Sequence, residues 1–481
     1  MRKNLFYFGL AAAFAATTLT SCENQDLTDV NENATRVEVG YLTPEMLKVR
    51  DYVPPMAVMA HRGSTFWAPE ETEAAWRWAR EMGADYLESD LQCSKDGVVL
   101  ANHDDNLKRT TNIENLYGED VPRDRINFYM SPQGGGMTKE EAEAQMAKDR
   151  ASFNPFYTNQ YFYFELARLD AGTWFNETSI EQARAGFSTQ HQYVSSLEDQ
   201  IRFAEGKILR RYTPELLAEL ENYSGNAVYY DKILGERVYS VEGTWDPANP
   251  HTCLTYKYEY EADPQDTGNR PGIYIEFKES WLNPSNFEEM VYNELDRLGW
   301  NIITKPEAED APWYKDGKVN VAYTNGKVIL QTFSFESLRR SAEKFEGKIP
   351  MCFLLWHDNI TPTQYAGYIN MGLEFLAHII GPSIAGAPNN YFEMNAPWMH
   401  DMIRRSGMLN HPYSFDTMEQ MNVYWGSYHY DSGHFKAPYM DGAFTNRTEL
   451  TLQFLIDRNA RGEGAPTFVP DPVETLKRLG Y

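Results

Sequence analysis

The chain alternates short apolar runs with segments in which apolar residues recur every three or four positions. The first run, Met56–Ala60, follows two prolines that block a helical start, so this run predicts a strand. Residues 69–83 then combine a proline and acidic side chains in a first turn with apolar residues at helical spacing and a closing glycine. Strands that alternate with helices in this way predict a parallel sheet.

The same alternation continues through the second half of the chain. Amphipathic helices are predicted at 287–298 and 336–345, each after an apolar run. The apolar runs that predict strands in this half are 272–278, 328–334, 351–356, 379–384, 408–414 and 441–446. We therefore predict an α/β fold, a (β/α)8 TIM barrel in which the carboxyl ends of the strands meet at one rim.

Side chains able to do chemistry lie at the ends of the first three predicted strands. Glu88 and Asp90 are two apart in an apolar run, so both should project from the same face of a strand. Two like charges in a buried strand are costly unless a cation lies between them, and carboxylate oxygens suit Ca²⁺ or Mg²⁺ better than zinc. If the strands are parallel neighbours, His61 and His103 lie within reach of that cation. The alternative is a set of solvent-facing carboxylates and surface histidines.

Six motifs between residues 61 and 111 resemble, in their order and spacing, those of the glycerophosphodiester phosphodiesterases. The motifs are His61-Arg62-Gly63, Pro69-Glu70-Glu71-Thr72, Gly83–Asp90, Lys95-Asp96-Gly97, His103-Asp104 and Leu107–Thr111. The chain departs from the family pattern at Glu71, where the family has Asn. The resemblance covers most of residues 56–460, densely at the front and loosely in the middle.

The resemblance implies roles for individual residues at the rim. His61 and His103 would be the acid/base pair, since an imidazole can move protons near neutral pH. The strand Gly272–Lys278 resembles the family's Ile-Glu-Ile-Lys strand, which makes Glu276 a third metal carboxylate and Lys278 a candidate phosphate contact. Without the resemblance, an ion pair across strands would explain these last two side chains equally well.

Two further charged residues have candidate roles near this site. Arg62 would hold the non-bridging oxygens of an anionic phosphodiester. Glu70 would support a neighbouring imidazole, although a carboxylate in the first turn of a helix is also explained by the helix dipole. His357-Asp358 repeats the dipeptide at 103, but no other family motif surrounds it, so it receives no catalytic role. Asn446 stands where the family usually has Asp, and it is not assigned to the metal.

A large insertion is predicted on the catalytic rim. About 165 residues separate His103 from the next family-like strand, far more than one helix-and-strand unit uses. We place the added segments at about 112–160 and 210–270, within a barrel domain of residues 51–470. The insertion is rich in tyrosine, and its aromatic side chains either line a substrate groove or form a small satellite core.

Composition and charge narrow the class of partner. The chain has 481 residues, of which 42% are apolar, so it can bury a full core. Its formal net charge of -25 argues against a nucleic-acid partner or an anionic membrane surface. A small anionic substrate then needs local positive charge, which a bound cation and Arg62 would supply. Cys93, Cys253 and Cys352 are widely spaced and odd in number, so no disulfide framework is predicted.

The start of the chain predicts an export signal. Arg2 and Lys3 precede an apolar run, and Leu19-Thr20-Ser21-Cys22 resembles the lipobox of bacterial lipoproteins. We predict a signal peptide at 1–21, acylation of Cys22 and a polar tether at 22–50, with the membrane contacted only through the lipid. The expected location is the cell envelope, at the outer membrane, on its periplasmic or outward-facing side. An ordinary secretory signal or an uncleaved anchor is the alternative.

Together these features predict a metal-dependent hydrolase that converts a glycerophosphodiester to sn-glycerol 3-phosphate and an alcohol. The attacking nucleophile is either water or the glycerol hydroxyl of the substrate. One alternative is a related phosphodiesterase on the same barrel that acts on phospholipid or glycerophosphoinositol. Another is a non-catalytic surface protein that binds glycans or lipids, suggested by the aromatic content of 14% and the insertion. A full set of two histidines, three carboxylates and Arg62 argues against such a binder.

Overall fold

The computed structural model describes residues 27–172, 174–175, 187, 191–211, 213–221, 227–230, 237–278, 281–427 and 438–481. The predicted signal peptide at 1–21 and the predicted acylation site, Cys22, lie outside these ranges. Across the described ranges, no helix combines the length and the apolar character that crossing a bilayer requires.

The described residues form sixteen strands and sixteen α-helices. The strands are β1 (Ala57–Ala60), β2 (Tyr86–Cys93), β3 (Val99–Ala101), β4 (Lys207–Leu209), β5 (Ala227–Tyr230), β6 (Val238–Gly243), β7 (Leu254–Tyr258), β8 (Tyr260–Ala262), β9 (Gly272–Phe277), β10 (Tyr314–Lys315), β11 (Lys318–Val319), β12 (Val328–Thr332), β13 (Met351–Leu355), β14 (Ile379–Pro382), β15 (Leu409–Asn410) and β16 (Gly442–Thr445). The helices are α1 (Leu27–Arg36), α2 (Pro44–Arg50), α3 (Glu73–Met82), α4 (Ile113–Tyr117), α5 (Arg125–Met130), α6 (Lys139–Ser152), α7 (Tyr163–Leu166), α8 (Leu197–Ala204), α9 (Pro214–Glu221), α10 (Phe287–Leu298), α11 (Phe335–Phe345), α12 (Pro362–Glu374), α13 (Pro397–Ser406), α14 (Met418–Asn422), α15 (Thr448–Asp457) and α16 (Pro472–Leu479).

Eight of the strands build a parallel barrel in the order β1, β2, β9, β12, β13, β14, β15 and β16, with β16 returning to β1. Beyond the short strand β15, the chain continues the barrel wall through a parallel bridge from Tyr413 to Ser383 and another from Phe415 to Thr445. The short strand β3 pairs with β2 in the antiparallel sense. The predicted (β/α)8 barrel is therefore confirmed, and its strand ends form one rim.

Helix α3 shows how local sequence sets the first barrel unit. The side chain of Thr72 accepts a hydrogen bond from the backbone N–H of Ala75 at the start of the helix, and Gly83 ends the helix with a φ of 93°. Every residue of α3 is buried, because helices α8 and α16 cover the side that faces away from the barrel. Since α16 packs on α3, the barrel domain extends beyond the boundary predicted at residue 470.

The polar tether predicted for residues 22–50 is wrong from residue 27 onward. Helices α1 and α2 occupy this segment, and Ala34, Leu42 and Met46 are buried against the barrel. Arg405 of helix α13 donates hydrogen bonds to the carbonyls of Ala34 and Val37 at 2.8 and 3.0 Å. A few well-spaced apolar residues are enough to dock the segment, and its polar composition conceals them.

The insertion has a small core of its own on the rim. At its centre Arg125 is fully buried, and its guanidinium donates to Glu165 at 2.8 and 2.9 Å and to Asp149 at 3.0 Å. Aromatic and aliphatic side chains surround this ion pair; they are Val121, Phe128, Tyr129, Ala142, Met146, Phe162 and Trp245. Strands β5, β6 and β7 add an antiparallel sheet whose Tyr239 and Tyr256 are also buried. The sequence left open whether the aromatic side chains of the insertion line a substrate groove or form a small satellite core. The side chains named here form the satellite core.

Buried histidines should make the folded state sensitive to mild acid. Burial lowers the pKa of His378 from 6.5 to about 3, while its Nδ1 accepts a hydrogen bond from the Met351 N–H at 3.2 Å. Between these two pKa values the unfolded chain binds a proton that the folded chain does not, so stability falls as pH falls from 6.5 toward 3. His378 alone should lower the free energy of unfolding by about 1.4 kcal/mol for each pH unit in this window.

Urea unfolding at pH 7, 6 and 5 measures this contribution. His378→Asn should reduce the loss of unfolding free energy per pH unit by that amount, whereas the exposed-site control His357→Asn should keep the wild-type slope. A His378→Asn protein with an unchanged slope would contradict the assignment of a buried neutral imidazole.

Candidate active site

Three carboxylates meet at the rim of the barrel. Glu88 and Asp90 project from β2, and Glu276 projects from the neighbouring strand β9, where it pairs in register with Asp90. All three side chains are buried, and one oxygen of each lies within 4.8 Å of the other two. The structure thus brings together the three residues that the sequence predicts as metal ligands.

The electrostatics of this trio favour a bound cation. Burial and the negative charge of Asp90 raise the pKa of Glu88 well above its ordinary value. Burial also raises the pKa of Glu276, to about 8; the positive charge of Lys278 opposes this rise and the charge of Asp90 adds to it. Burial acts in the same direction on Asp90, but Lys278, His103 and Arg62 hold its pKa well below the ordinary value. Asp90 Oδ2 accepts no well-aligned hydrogen bond from the described residues, and its nearest partner is the ion-paired Arg62 guanidinium, 3.1 Å away. A divalent cation with oxygen ligands fits this donor set.

Two cationic side chains border the carboxylates. The Arg62 guanidinium Nε lies 3.1 Å from Asp90 Oδ2, and the Arg62 backbone N–H donates to Glu88 Oε2 at 2.7 Å. Lys278 Nζ lies 3.0 Å from Glu276 and 3.6 Å from Asp90. Both cations therefore sit where an anionic group entering the site would meet them.

The backbone at the end of β1 turns sharply to place Arg62 and its neighbours. Arg62 itself has a φ of 50° and Gly63 has a φ of 82°. A Cβ atom on Gly63 would lie 2.6 Å from the Cβ of Ala75, at the start of α3. Only glycine allows this close approach together with a left-handed backbone.

A chain of ion pairs holds His103. Its Nδ1 lies 2.5 Å from Asp104 Oδ1, and Arg109 Nε donates to the other oxygen of Asp104 at 2.6 Å. Arg109 also donates to both oxygens of Glu70, at 2.5 and 3.0 Å, and Glu70 in turn lies 3.6 Å from the guanidinium of Arg62. Glu70 therefore acts on His103 through Arg109 and Asp104. Helix α3 begins only at residue 73, so these ion pairs account for Glu70 better than the helix dipole does.

His61 has a different kind of partner. Its Nδ1 lies 2.7 Å from Asn446 Oδ1, and the amide nitrogen of Asn446 donates to Asp416 at 2.8 Å. This arrangement orients the amide oxygen toward the ring, so Nδ1 carries the proton and Nε2 keeps its lone pair. Burial and the nearby Arg62 charge lower the pKa of His61 to about 3. This role of Asn446 was not predicted from the sequence.

Two more residues position the carboxylates and were not predicted. Gln331 Nε2 donates to Glu88 Oε1 at 2.9 Å. Glu71 Oε1 accepts a hydrogen bond from the Asp90 N–H at 2.9 Å, and burial together with the Asp90 charge raises the pKa of Glu71 well above its ordinary value. Gln331 pairs in register with Glu276 on the neighbouring strand, so the period of two along the predicted strand 328–334 could have identified it.

These groups open into one cavity of about 450 Å³. Its charged and polar lining side chains include His61, Arg62, Glu88, His103, Glu276, Lys278 and Gln331. Its aromatic lining side chains include Phe333, Phe335, Phe353, Trp356, His357, Tyr391 and Tyr413. All predicted rim residues except Asp90 and Glu70 line the cavity directly, and those two contact Arg62, which lines it.

Residues 61–240 match the model of the Glycerophosphoryl diester phosphodiesterase family. The chain is 27% identical to the glycerophosphoinositol inositolphosphodiesterase GDPD2 of Mus musculus over 205 residues, which cover 41% of this chain and 31% of the mouse protein. It is 32% identical to the glycerophosphodiester phosphodiesterase of Bacillus subtilis (strain 168) over 126 residues, 26% of this chain and 29% of the relative. The matches thus span less than a third of each of these curated relatives.

One solved structure also aligns with most of the chain. It is that of a phosphodiesterase from Oleispira antarctica in complex with the product sn-glycerol-3-phosphate. The TM-score is 0.41 and the sequences are 14% identical, and the superposition covers 83% of this chain and 97% of the other.

Proposed function

We propose that this chain is a member of the glycerophosphodiester phosphodiesterase family, whose model matches residues 61–240, and that it hydrolyses glycerophosphodiesters to sn-glycerol 3-phosphate and an alcohol in a metal-dependent reaction. One observation carries the proposal. Three buried carboxylates have oxygens within 4.8 Å of one another, and two of them line a single cavity together with two histidines, an arginine and a lysine. A non-catalytic binder of glycans or lipids has no need of this combination.

Glu88, Asp90 and Glu276 would hold the cation, Ca²⁺ or Mg²⁺. When bound, the cation would polarise a phosphoryl oxygen and neutralise the charge that develops in the transition state. Arg62 and Lys278 would hold the non-bridging oxygens of the phosphodiester, because both cationic groups lie within 4 Å of the carboxylates that would bind the metal.

The two histidines would divide the proton transfers according to their partners. His61 faces a neutral amide through Nδ1, which leaves Nε2 free to accept the proton of the attacking hydroxyl or water. His103 faces the carboxylate of Asp104 through Nδ1. Burial and the Arg62 charge lower the pKa of His103 below its ordinary value, and the Asp104 hydrogen bond opposes them, so the protonated imidazole has a carboxylate partner that His61 lacks. We therefore assign His61 as general base and His103 as general acid for the departing alcohol. Arg109 and Glu70 would serve as positioning residues, since Arg109 holds Asp104 and Glu70 holds Arg109.

Product analysis tests the reaction class. The purified protein is incubated with Ca²⁺ or Mg²⁺ and glycerophosphocholine, glycerophosphoethanolamine, glycerophosphoglycerol or glycerophosphoinositol, and sn-glycerol 3-phosphate is quantified enzymatically. We expect release of glycerol 3-phosphate from at least one diester. Release of inositol phosphate together with glycerol would instead indicate the cleavage that the name of the mouse relative describes. Turnover of intact phospholipid alone would support the phospholipid alternative, and no turnover of any compound would overturn the proposal.

A further inference from the structure

Three neighbouring segments of the barrel wall carry His61, Asn446 and Asp416 side by side at the rim. The residues just before them are joined by parallel pairing, since β1 pairs with β16 through Ala60 and Thr445, and a parallel bridge links Thr445 to the segment beyond β15. The next residue along each segment is one of the three. The backbone register therefore lines up these side chains, with Asn446 in the middle.

Hydrogen bonds connect the three side chains in the same order. His61 Nδ1 lies 2.7 Å from Asn446 Oδ1, and Asn446 Nδ2 donates to Asp416 Oδ1 at 2.8 Å. The other carboxylate oxygen of Asp416 accepts a hydrogen bond from the Asn389 amide at 3.1 Å. Both oxygens thus face amide donors, which suits the acceptor-only character of an ionised carboxylate. We call His61, Asn446 and Asp416 the amide-linked triad.

The other partners of the Asn446 side chain do not select its orientation. The Thr65 hydroxyl donates to Asn446 Oδ1 at 3.1 Å, and Asn446 Nδ2 donates to the Ser414 hydroxyl at 3.4 Å. A hydroxyl group can donate or accept, so both contacts could form again if the amide turned by about 180°. The Asp416 carboxylate only accepts. It therefore holds the NH2 group on its own side and leaves the amide oxygen on the side of His61.

The direction of the amide decides which nitrogen of His61 can act as a base. When the amide oxygen faces the ring, Nδ1 carries the proton of the neutral imidazole and Nε2 keeps a lone pair. When the NH2 group faces the ring, Nδ1 has to accept, and the proton moves to Nε2. That nitrogen then cannot take a proton from the attacking group. Neither Asp416 nor Asn446 is among the described residues that line the cavity, so this effect needs no contact with the substrate.

We propose that Asp416 is a positioning residue for the reaction and that it sets the tautomer of His61 through the Asn446 amide. This inference rests on the proposed function, in which His61 is the general base. Each histidine of the site then has a carboxylate behind its Nδ1. Asp104 contacts the ring of His103 directly, whereas Asp416 is separated from His61 by one neutral side chain.

The tautomer of His61 can be measured without a substrate. In the purified protein labelled with ¹⁵N-histidine, long-range ¹H–¹⁵N NMR spectra distinguish the two ring nitrogens, and the signals of His61 are those that disappear in His61→Gln. We expect a neutral ring protonated at Nδ1 in the wild type. Asp416→Asn keeps the shape of the side chain but offers both a donor and an acceptor, so it should give a mixture of both tautomers.

The same variant has an expected kinetic effect. On the diester that is hydrolysed fastest in the product analysis, Asp416→Asn should lower kcat severalfold and leave KM nearly unchanged, because the amide-linked triad acts on the base and not on substrate binding. Glu419→Gln is the matched control, since this exposed carboxylate lies in the first turn of α14, three residues further along. It should keep the wild-type tautomer and kcat.

Exchanging the two outer groups of the amide-linked triad tests the direction of the effect. Asn446→Asp alone would bring two carboxylates into contact and should lower kcat strongly. In the double variant Asp416→Asn/Asn446→Asp, the carboxylate accepts from His61 Nδ1 directly, and the amide behind it donates to that carboxylate. The double variant should therefore return to a ring protonated at Nδ1 and recover most of the kcat that each single variant loses.

The outcomes separate this inference from the proposed function. A ring protonated only at Nδ1 in Asp416→Asn, or a ring protonated at Nε2 in the wild type, would overturn the role of Asp416. Losses that add up in the double variant would show that Asp416 only supports the local fold, and would overturn it as well. If the tautomers change as expected but no diester is hydrolysed by the wild type, the proposed function fails and the control of the His61 tautomer by Asp416 stands.

Discussion

Removal of divalent cations with EDTA should abolish the release of sn-glycerol 3-phosphate, with a loss of at least about 10³-fold in kcat/KM. The expected size of this loss follows from the stabilisation that a cation supplies to the transition state, which amounts to several kcal/mol. Arg62 and Lys278 cannot replace it, because both are already paired with the carboxylates of the site. Addition of Ca²⁺ or Mg²⁺ in excess over EDTA should restore the rate, and the more effective ion identifies the metal. Hydrolysis that continues unchanged in EDTA would refute the metal requirement.

Substitution of the ligands complements the chelation. Glu88→Gln should weaken the affinity for the cation, measured by calorimetry, and reduce turnover to a similar extent, because Glu88 would be a direct ligand. Glu309→Gln is the matched control, since that carboxylate is exposed and pairs only with Lys48 at 3.0 Å in the part of the chain described. Wild-type cation affinity in Glu88→Gln would remove Glu88 from the ligand set.

His103→Ala and His61→Ala should each lower turnover of a choline or ethanolamine diester by about 10² to 10⁴-fold, the usual size of general acid–base catalysis. The two variants should differ when the leaving group is p-nitrophenol, which departs as an anion and needs no proton. With that diester, His103→Ala should regain most of its activity, because only the general acid becomes dispensable. His61→Ala should stay inactive, because the attacking group still needs a base.

Circular dichroism and urea unfolding would show that both variants fold, and His251→Ala serves as a histidine control outside the cavity. If both histidine variants lose the same factor on both diesters, the division of roles between base and acid is wrong. If His61→Ala is the variant that recovers, the two roles are reversed.

Much of the barrel was predictable because its strands are apolar and its helices are amphipathic. The period of two along β2 fixed Glu88 and Asp90 on one face, and the parallel register with β9 brought Glu276 beside Asp90. These are backbone properties that a sequence encodes locally. The position of Gln331 follows from the same register rule and was within reach of the prediction.

Other parts of the site depend on side-chain contacts between distant segments, which no local pattern encodes. Asn446 reaches His61 from the last barrel strand, and Arg109 reaches back to Glu70 across the first barrel unit. The aromatic lining of the cavity is likewise assembled from separate segments, since Phe333 follows β12, Trp356 follows β13, Tyr391 follows β14 and Tyr413 lies beyond β15. The helices at 27–50 were missed for a related reason, since the apolar residues that dock this segment are interspersed in a sequence that is polar overall.

The pairing of Asp90 with Glu276 has a consequence for how the protein is made. The two carboxylates are side by side in space but about 185 residues apart in the chain. At a translation rate of about 5 to 20 residues per second, β2 leaves the ribosome roughly 10 to 40 s before β9 does. During that interval the nascent β2 has only β1 and β3 beside it, and its acidic pair has no third ligand. Synthesis order would therefore make the proposed capture of a metal ion a late event, possible only after the whole insertion has emerged and β9 has docked beside β2.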